Sequence, residues 1–180
     1  VVLSASRLAQ PLQDSPGAVS VIDADLIAAT DYRELARVLR LVPGFQVGQE
    51  RGNVQWVTYH GLGMDYPVQM QLLVDGRASL TPSFAASAER ALPGDIERIE
   101  VVRGSNSAAY GSNAFLGVVN ITTDDASRTP GTRLKLAAGA PGILDAGVRH
   151  AAQAGPLSLR IGAHHEEDDG FDDLYDGRRT

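Results

Sequence analysis

The 180-residue sequence contains no cysteine, which excludes a disulfide framework and a thiolate metal site. It also lacks a positive excess. The formal net charge is −6 and no basic run offsets it, so a nucleic-acid partner is disfavoured. No apolar run approaches the ~20 residues that a membrane helix needs. The N-terminus has neither the charged nor the apolar region of a secretory leader, so a leader is expected to have been removed or never included. Catalytic and cofactor patterns are missing too. Gly61 and Gly63 are not continued into a GxGxxG dinucleotide loop, and Gly104 to Gly111 lacks the GK[ST] of a phosphate loop. Histidines occur at 60, 150, 164 and 165 and define no nucleophile–base–acid set. Neither an enzyme activity nor a cofactor is therefore expected. The run His164-His-Glu-Glu-Asp-Asp169 is rich in ligand atoms, but adjacent histidines project to opposite faces of a strand and rarely share an ion. A solvated loop is expected there, and no metal site is assigned. There is no internal repeat and no low-complexity segment. These exclusions leave a soluble domain or part of a β-barrel.

What the chain does have is glycine, 19 residues of it, which suits a fold of strands and turns. Ala18 to Ile22 reads as a short strand, and Asp23 as the N-cap of a brief helix through Ala29. A second helix is expected from Thr30 or Asp31, because Asp31 and Glu34 have capping-box spacing. Leu35, Val38, Leu39 and Val42 share its apolar face, and Pro43-Gly44 ends it. Strands are expected from Phe45, over Val54 to His60, and over Val68 to Val74, where Asp75-Gly76 makes a turn. The stretch from Ala78 to Gly94 reads as a long loop, of a length that is more often functional than accidental. Ile96 to Arg103 and Val118 to Thr123 follow as two further strands.

The first of these two is unusual. Strict alternation places Glu97, Ile99, Val101 and Arg103 on one side and Arg98, Glu100 and Val102 on the other. A half-buried strand over an ordinary core keeps one face apolar. Charge on both faces points to surroundings that are packed yet polar, such as the lumen of a large membrane barrel. After Asp125 the pattern changes. Gly131 to Gly139, Leu144 to Ala152 and Leu157 to Ala163 each alternate polar and apolar residues over roughly ten positions, the length of a tilted transmembrane β-strand. Taken alone they fit equally an amphipathic sheet of a soluble domain.

Five blocks, in order, carry a family resemblance. Val1-Val-Leu-Ser-Ala-Ser-Arg7 comes first, then Ser15-Pro-Gly-Ala-Val-Ser-Val-Ile22. Glu34-Leu35 through Val42-Pro-Gly-Phe45 and Leu72-Leu-Val-Asp-Gly-Arg77 follow. The last block runs from Glu97-Arg-Ile-Glu-Val-Val-Arg-Gly104 through Ser107-Ala-Ala-Tyr-Gly111 to Gly117-Val-Val-Asn-Ile121. Residues 1 to 125 thus resemble the plug domain of TonB-dependent outer-membrane receptors. The sequence departs from the family pattern at Ser105, where proline is usual, and at His60-Gly61, where arginine-glycine is usual.

The resemblance implies an α+β plug, a small mixed sheet with short helices at 1–125. It is followed at 126–180 by the first antiparallel strands of a transmembrane β-barrel. Three strands cannot close a barrel, so the sequence is expected to be a piece of a longer protein. By the same resemblance, Val1, Val2, Leu3, Ser4 and Ala5 would bind TonB on the periplasmic side as an added strand. Gln49, Arg51, Asn53, Ser79, Thr81, Ser83 and Phe84 would sit at the outward plug apices and touch a small-molecule ligand such as a metal chelate. Arg103 and Gly104 would lock the plug to carboxylates of its own barrel wall, in a network that Glu97, Arg98 and Glu100 would join. The implied function is binding and import of a scarce nutrient of the iron–siderophore, haem or cobalamin class. It would take place in the outer membrane, with the plug in the lumen and lipid around the strands. A non-transporting receptor for signalling or adhesion, built on the same plug, is the second reading.

Overall fold

A computed structural model describes residues 11–15, 17–30, 32–50, 54–62, 69–78 and 95–170, the side chains at 49, 50, 54, 55 and 112 excepted. The chain divides into two compact units, Val1–Thr123 and Asp124–Thr180.

In the first unit, β1 (Ala18–Asp23) runs into α1 (Ala24–Thr30), and the Asp23 carboxylate accepts from the Leu26 N–H at 2.9 Å. This satisfies one of the helix's orphan donors and fixes where the strand turns. The next helix, α2 (Leu35–Val38), is short and tightens into a 3-10 turn over Leu39–Leu41. Its start differs from the sequence expectation. Glu34 stands at the N-cap with no side-chain cap bond and pairs with Arg37 instead. The apolar face is as expected, since Leu35, Val38, Leu39 and Val42 are all buried. Strands β2 (Phe45–Glu50) and β3 (Val54–Tyr59) form a separate antiparallel hairpin. In it the Trp56 indole lies across Gly48, where a side chain would collide with it.

The main sheet is five-stranded. β4 (Met70–Val74), β5 (Arg77–Ala78), β6 (Ile96–Arg103) and β7 (Gly117–Thr123) join β1 in the order β1-β6-β7-β4-β5. All pairs are antiparallel except β4 with β7. Ile22, Ile99 and Ile121 make one row across three strands, and Val101 faces Val119. These residues join the helices in the larger core, and burying each such side chain is worth about 1.5–3 kcal/mol. A smaller cluster of Leu73, Val102, Ala114 and Val118, joined by Val19 and Tyr110, is separate from this core.

The second unit is an antiparallel meander of β8 (Gly131–Gly139), β9 (Ile143–Ala154) and β10 (Leu157–Glu167). β10 continues through His164–Glu167, where a loop was expected. Each histidine there lies near the glutamate two residues on, His164 with Glu166 at 3.3 Å and His165 with Glu167 at 3.5 Å. Residues two apart share a face, so the two pairs occupy opposite sides. Among the described residues no group of three ligating side chains could hold a metal ion.

Candidate functional site

The charged strand β6 is the middle of the candidate site, and one irregularity decides its chemistry. Its pairing with β7 slips between Ile96 and Arg98, leaving Glu97 as an extra residue. A bulge of this kind re-aims side chains. Ile96, Ile99 and Val101 all reach the larger core, which strict alternation would forbid. Glu97 is thereby displaced from the Ile99 face on which alternation had placed it. It meets Arg98, whose NH1 donates to Glu97 Oε1 at 2.8 Å while its Nε donates to Glu100 Oε1 at 2.8 Å. Glu100 is 0% exposed and lies between Val21 and Asn120 on the neighbouring strands. Glu97, Arg98 and Glu100 therefore gather into one bridged group, a carboxylate–guanidinium–carboxylate run. A buried carboxylate needs such a partner, because an uncompensated one would cost several kcal/mol.

Arg103 ends the strand, between Ala18 and Gly117. It is half-buried, and its Nε is buried with no hydrogen-bond partner among the described residues. Gly104 follows at φ +96°, a conformation that side chains resist. Its N–H donates to Leu116 O at 3.0 Å, turning the chain back on itself. Asn106 organises the turn from within. Its carbonyl accepts from Ala109 and Tyr110 at the start of α3 (Ser107–Tyr110), and its side chain donates to Gly104 O at 3.1 Å. The chain re-enters the sheet at Gly117, where an added Cβ would lie 2.5 Å from Val102 O. Only glycine fits so close to the neighbouring backbone.

The Asp75-Gly76 turn belongs to the same region. Asp75 has φ +50°, and its carboxylate accepts from Thr123 N at 2.8 Å and Thr123 Oγ1 at 3.0 Å. Gly76 N donates to Asn120 Oδ1 at 3.2 Å. The two motif blocks around Asp75 and Asn120 thus exist to bind each other. His60, at φ +51°, closes the β3 turn, and its ring stacks edgewise on Tyr59 at 4.3 Å.

The proposed apical residues Arg51, Asn53, Ser79, Thr81, Ser83 and Phe84 lie outside the described residues, as do Val1, Val2, Leu3, Ser4 and Ala5. Gln49 is placed in β2 by its backbone alone.

The strands of the second unit present two contrasting faces. Leu134, Leu136, Leu144, Val148, Leu157, Leu159 and Ile161 are all exposed, Leu134 at 70%. The pairing register and alternation put them on one side. Arg133, Lys135, Asp145, Arg149 and Arg160 occupy the other. A sheet with a wholly exposed apolar face does not suit water. It suits lipid, with the polar side towards a lumen. Sequence reasoning missed Asp124, which accepts from Arg133 and Arg149 at 2.8 Å each. The only signal was indirect, in three inward arginines on successive strands.

Comparison with known proteins agrees with this geometry. Residues 11–118 match the model of the TonB-dependent Receptor Plug Domain. The chain is 34% identical over 177 residues to the vitamin B12 transporter BtuB of Vibrio vulnificus (strain CMCP6), covering 96% of this chain and 28% of that protein. It is 33% identical over 133 residues to the iron-regulated outer membrane virulence protein of Vibrio cholerae serotype O1 (strain ATCC 39541 / Classical Ogawa 395 / O395), covering 68% and 20%. Among solved structures, the siderophore receptor PiuA from Acinetobacter baumannii superposes with a TM-score of 0.71 at 26% identity, covering 88% of this chain and 22% of that one. The ferripyoverdine receptor of Pseudomonas aeruginosa gives 0.75 at 17% identity, covering 93% and 22%, a likeness of fold alone. The chain belongs to the TonB-dependent receptor plug family, whose members are outer-membrane transporters and receptors, not enzymes. It spans less than a third of the length of these relatives.

Proposed function

We propose that this chain is the plug and the first barrel strands of a TonB-dependent transporter that imports a scarce nutrient across the outer membrane. Residues 1–125 are read as the plug and 126–180 as the start of the barrel. The relatives include a vitamin B12 transporter and a siderophore receptor, so the cargo class is a metal chelate of iron–siderophore, haem or cobalamin type. The observation that carries the reading is the pairing of two features in one chain. A mixed-sheet plug with a bridged, buried charge group precedes strands whose apolar residues face outward.

In this mechanism the plug sits in the barrel lumen with its N-terminus in the periplasm. Ligand binds Gln49, Arg51, Asn53, Ser79, Thr81, Ser83 and Phe84 at the apices. Binding releases Val1 to Ala5, which TonB captures as an added strand and pulls. Arg103, its Nε buried without a partner among the described residues, reaches a carboxylate of the barrel wall beside Gly104. Glu97, Arg98 and Glu100 stiffen the strand that presents it.

The test is deletion of Val1 to Ala5 in the complete receptor. Uptake of labelled ligand is expected to vanish while binding to whole cells persists. Unchanged uptake contradicts the assignment, and binding without uptake in the intact protein favours a non-transporting receptor.

A further inference from the structure

The segment that leaves β7 is bound to all three strands of the second unit. Arg133 on β8 and Arg149 on β9 are directly opposite each other in the register. Like charges so placed repel, and here an anion sits between them: Asp124 Oδ2 accepts from both guanidinium groups at 2.8 Å. The third strand adds its own arginine, since Arg160 NH1 on β10 donates to the Asp124 carbonyl at 2.8 Å. Arg149 also reaches five residues further along the segment, donating to Thr129 Oγ1 at 2.7 Å and Thr129 O at 3.1 Å.

The intervening turn is held from within. The Asp125 carboxylate accepts from the Ser127 N–H and hydroxyl at 2.8 Å each, and the Asp125 carbonyl accepts from Arg128 N and Thr129 N at 3.1 Å. Those Ser127 bonds, the backbone one first, hold the Asp125 carboxyl below its ordinary value. Arg149 and Ala151 are buried, whereas β10 is exposed along its whole length. Within the network Asp124 and Arg149 are largely out of water, at 11% and 6% side-chain exposure, whereas Arg133 is 56% exposed, so the Asp124–Arg149 bond is the strong one.

We propose that Asp124 is a mechanical anchor. It fastens the first residue after β7, where the second unit begins, to β8, β9 and β10 at once, so that unravelling of the preceding chain under tension is stopped there and the first barrel strands keep their register. The idea rests on the reading of the chain as a force-driven transporter, because only then does the plug meet sustained tension. Hydrogen bonds that must break together, spread over three strands, resist such a pull better than the same bonds broken in sequence.

The experiment pulls the complete receptor, held in a lipid nanodisc, by its N-terminus in a force spectrometer. In the unaltered protein the last plug-unfolding step is expected to end at Thr123. In Asp124→Ala, tension frees the further stretch to Pro130, lengthening that step by ~25 Å at about 3.3–3.6 Å per residue. Asp124→Asn keeps the shape but not the charge, and should give the longer step at a lower force than the unaltered protein requires. It also serves if the alanine variant fails to assemble. Heat-modifiable gel mobility checks that the barrel is intact, a property that the step length does not depend on. Equal step lengths in all three proteins overturn the anchor, as does release of residues 124–130 together with β7 in the unaltered one. Force here is applied externally, so this outcome is independent of TonB. Failure of the transport reading would appear instead as uptake that survives loss of Val1 to Ala5.

Discussion

Replacing Arg98 by alanine separates two accounts of the charged strand. In one, Glu97, Arg98 and Glu100 form a surface ladder, and exposed pairs of that sort are worth about 0–1 kcal/mol. In the other, Arg98 compensates a carboxylate that water cannot reach. Glu100 is 0% exposed in its side chain and Arg98 20%, with 2.8 Å between Nε and Oε1. Removing one partner of a buried pair costs about 3–5 kcal/mol. The residual exposure of Arg98 places the loss at the lower end, about 3 kcal/mol. At about 1.36 kcal/mol per tenfold, amide exchange limited by opening of the β6–β7 pair should accelerate roughly 150-fold. The surface account allows less than about fivefold. The assay is hydrogen exchange of Val119 and Ile121 in the complete receptor, which reports opening of that part of the sheet. A companion variant, Arg98→Met with Glu100→Leu, replaces the pair by apolar side chains of similar volume and should restore most of the protection. An acceleration below fivefold for Arg98→Ala, or a double variant no better protected than the single one, refutes the reasoning.

Two other substitutions follow from the closing turn. Gly117→Ala sets a Cβ 2.5 Å from Val102 O and 2.9 Å from the Met70 methyl. It should destabilise the plug by about 1–3 kcal/mol through overpacking, read as a lower thermal midpoint of plug unfolding; an unchanged midpoint counts against the close approach. Arg103→Ala should loosen the plug and raise the passive permeability of outer-membrane vesicles to small solutes, and an unaltered leak with an unaltered melting profile argues against the lock.

Much of the fold was legible in the chain. Asp23 caps α1, Asp75-Gly76 turns as its residue types demand, and the alternation after Gly131 gives the three strands and their two faces. The misreadings come from pairings that compete with the simple pattern, some of them local and some across the fold. Period-two counting has no place for the extra residue at Glu97, so it put Glu97 on the Ile99 face when the bulge gathers Glu97 and Glu100 around one guanidinium. The Asp31–Glu34 spacing imitates a capping box, yet Glu34 pairs with Arg37 and the helix begins only at Leu35. The charge run at His164–Glu167 resembles a solvated loop, but each histidine has a glutamate beside it on the same face, and the strand continues. Asp124 escaped notice because its partners Arg133 and Arg149 are 9 and 25 residues away, on two different strands. Of the candidate site, the charged strand and its glycine turn could be read from the motif. The pairing of Asp75 with Thr123 across 48 residues could not.

Site-directed spin labelling of the complete receptor in outer-membrane vesicles bears on the whole account. Labels placed through Leu134→Cys, Val148→Cys and Leu159→Cys should be relaxed by oxygen dissolved in lipid, and labels at Lys135→Cys, Gly147→Cys and Ser158→Cys by a water-soluble nickel chelate. A strict two-residue alternation along β8, β9 and β10 is the result expected of strands that wall a membrane barrel. Equal accessibility to the nickel chelate on both sides would place the strands in water and contradict it.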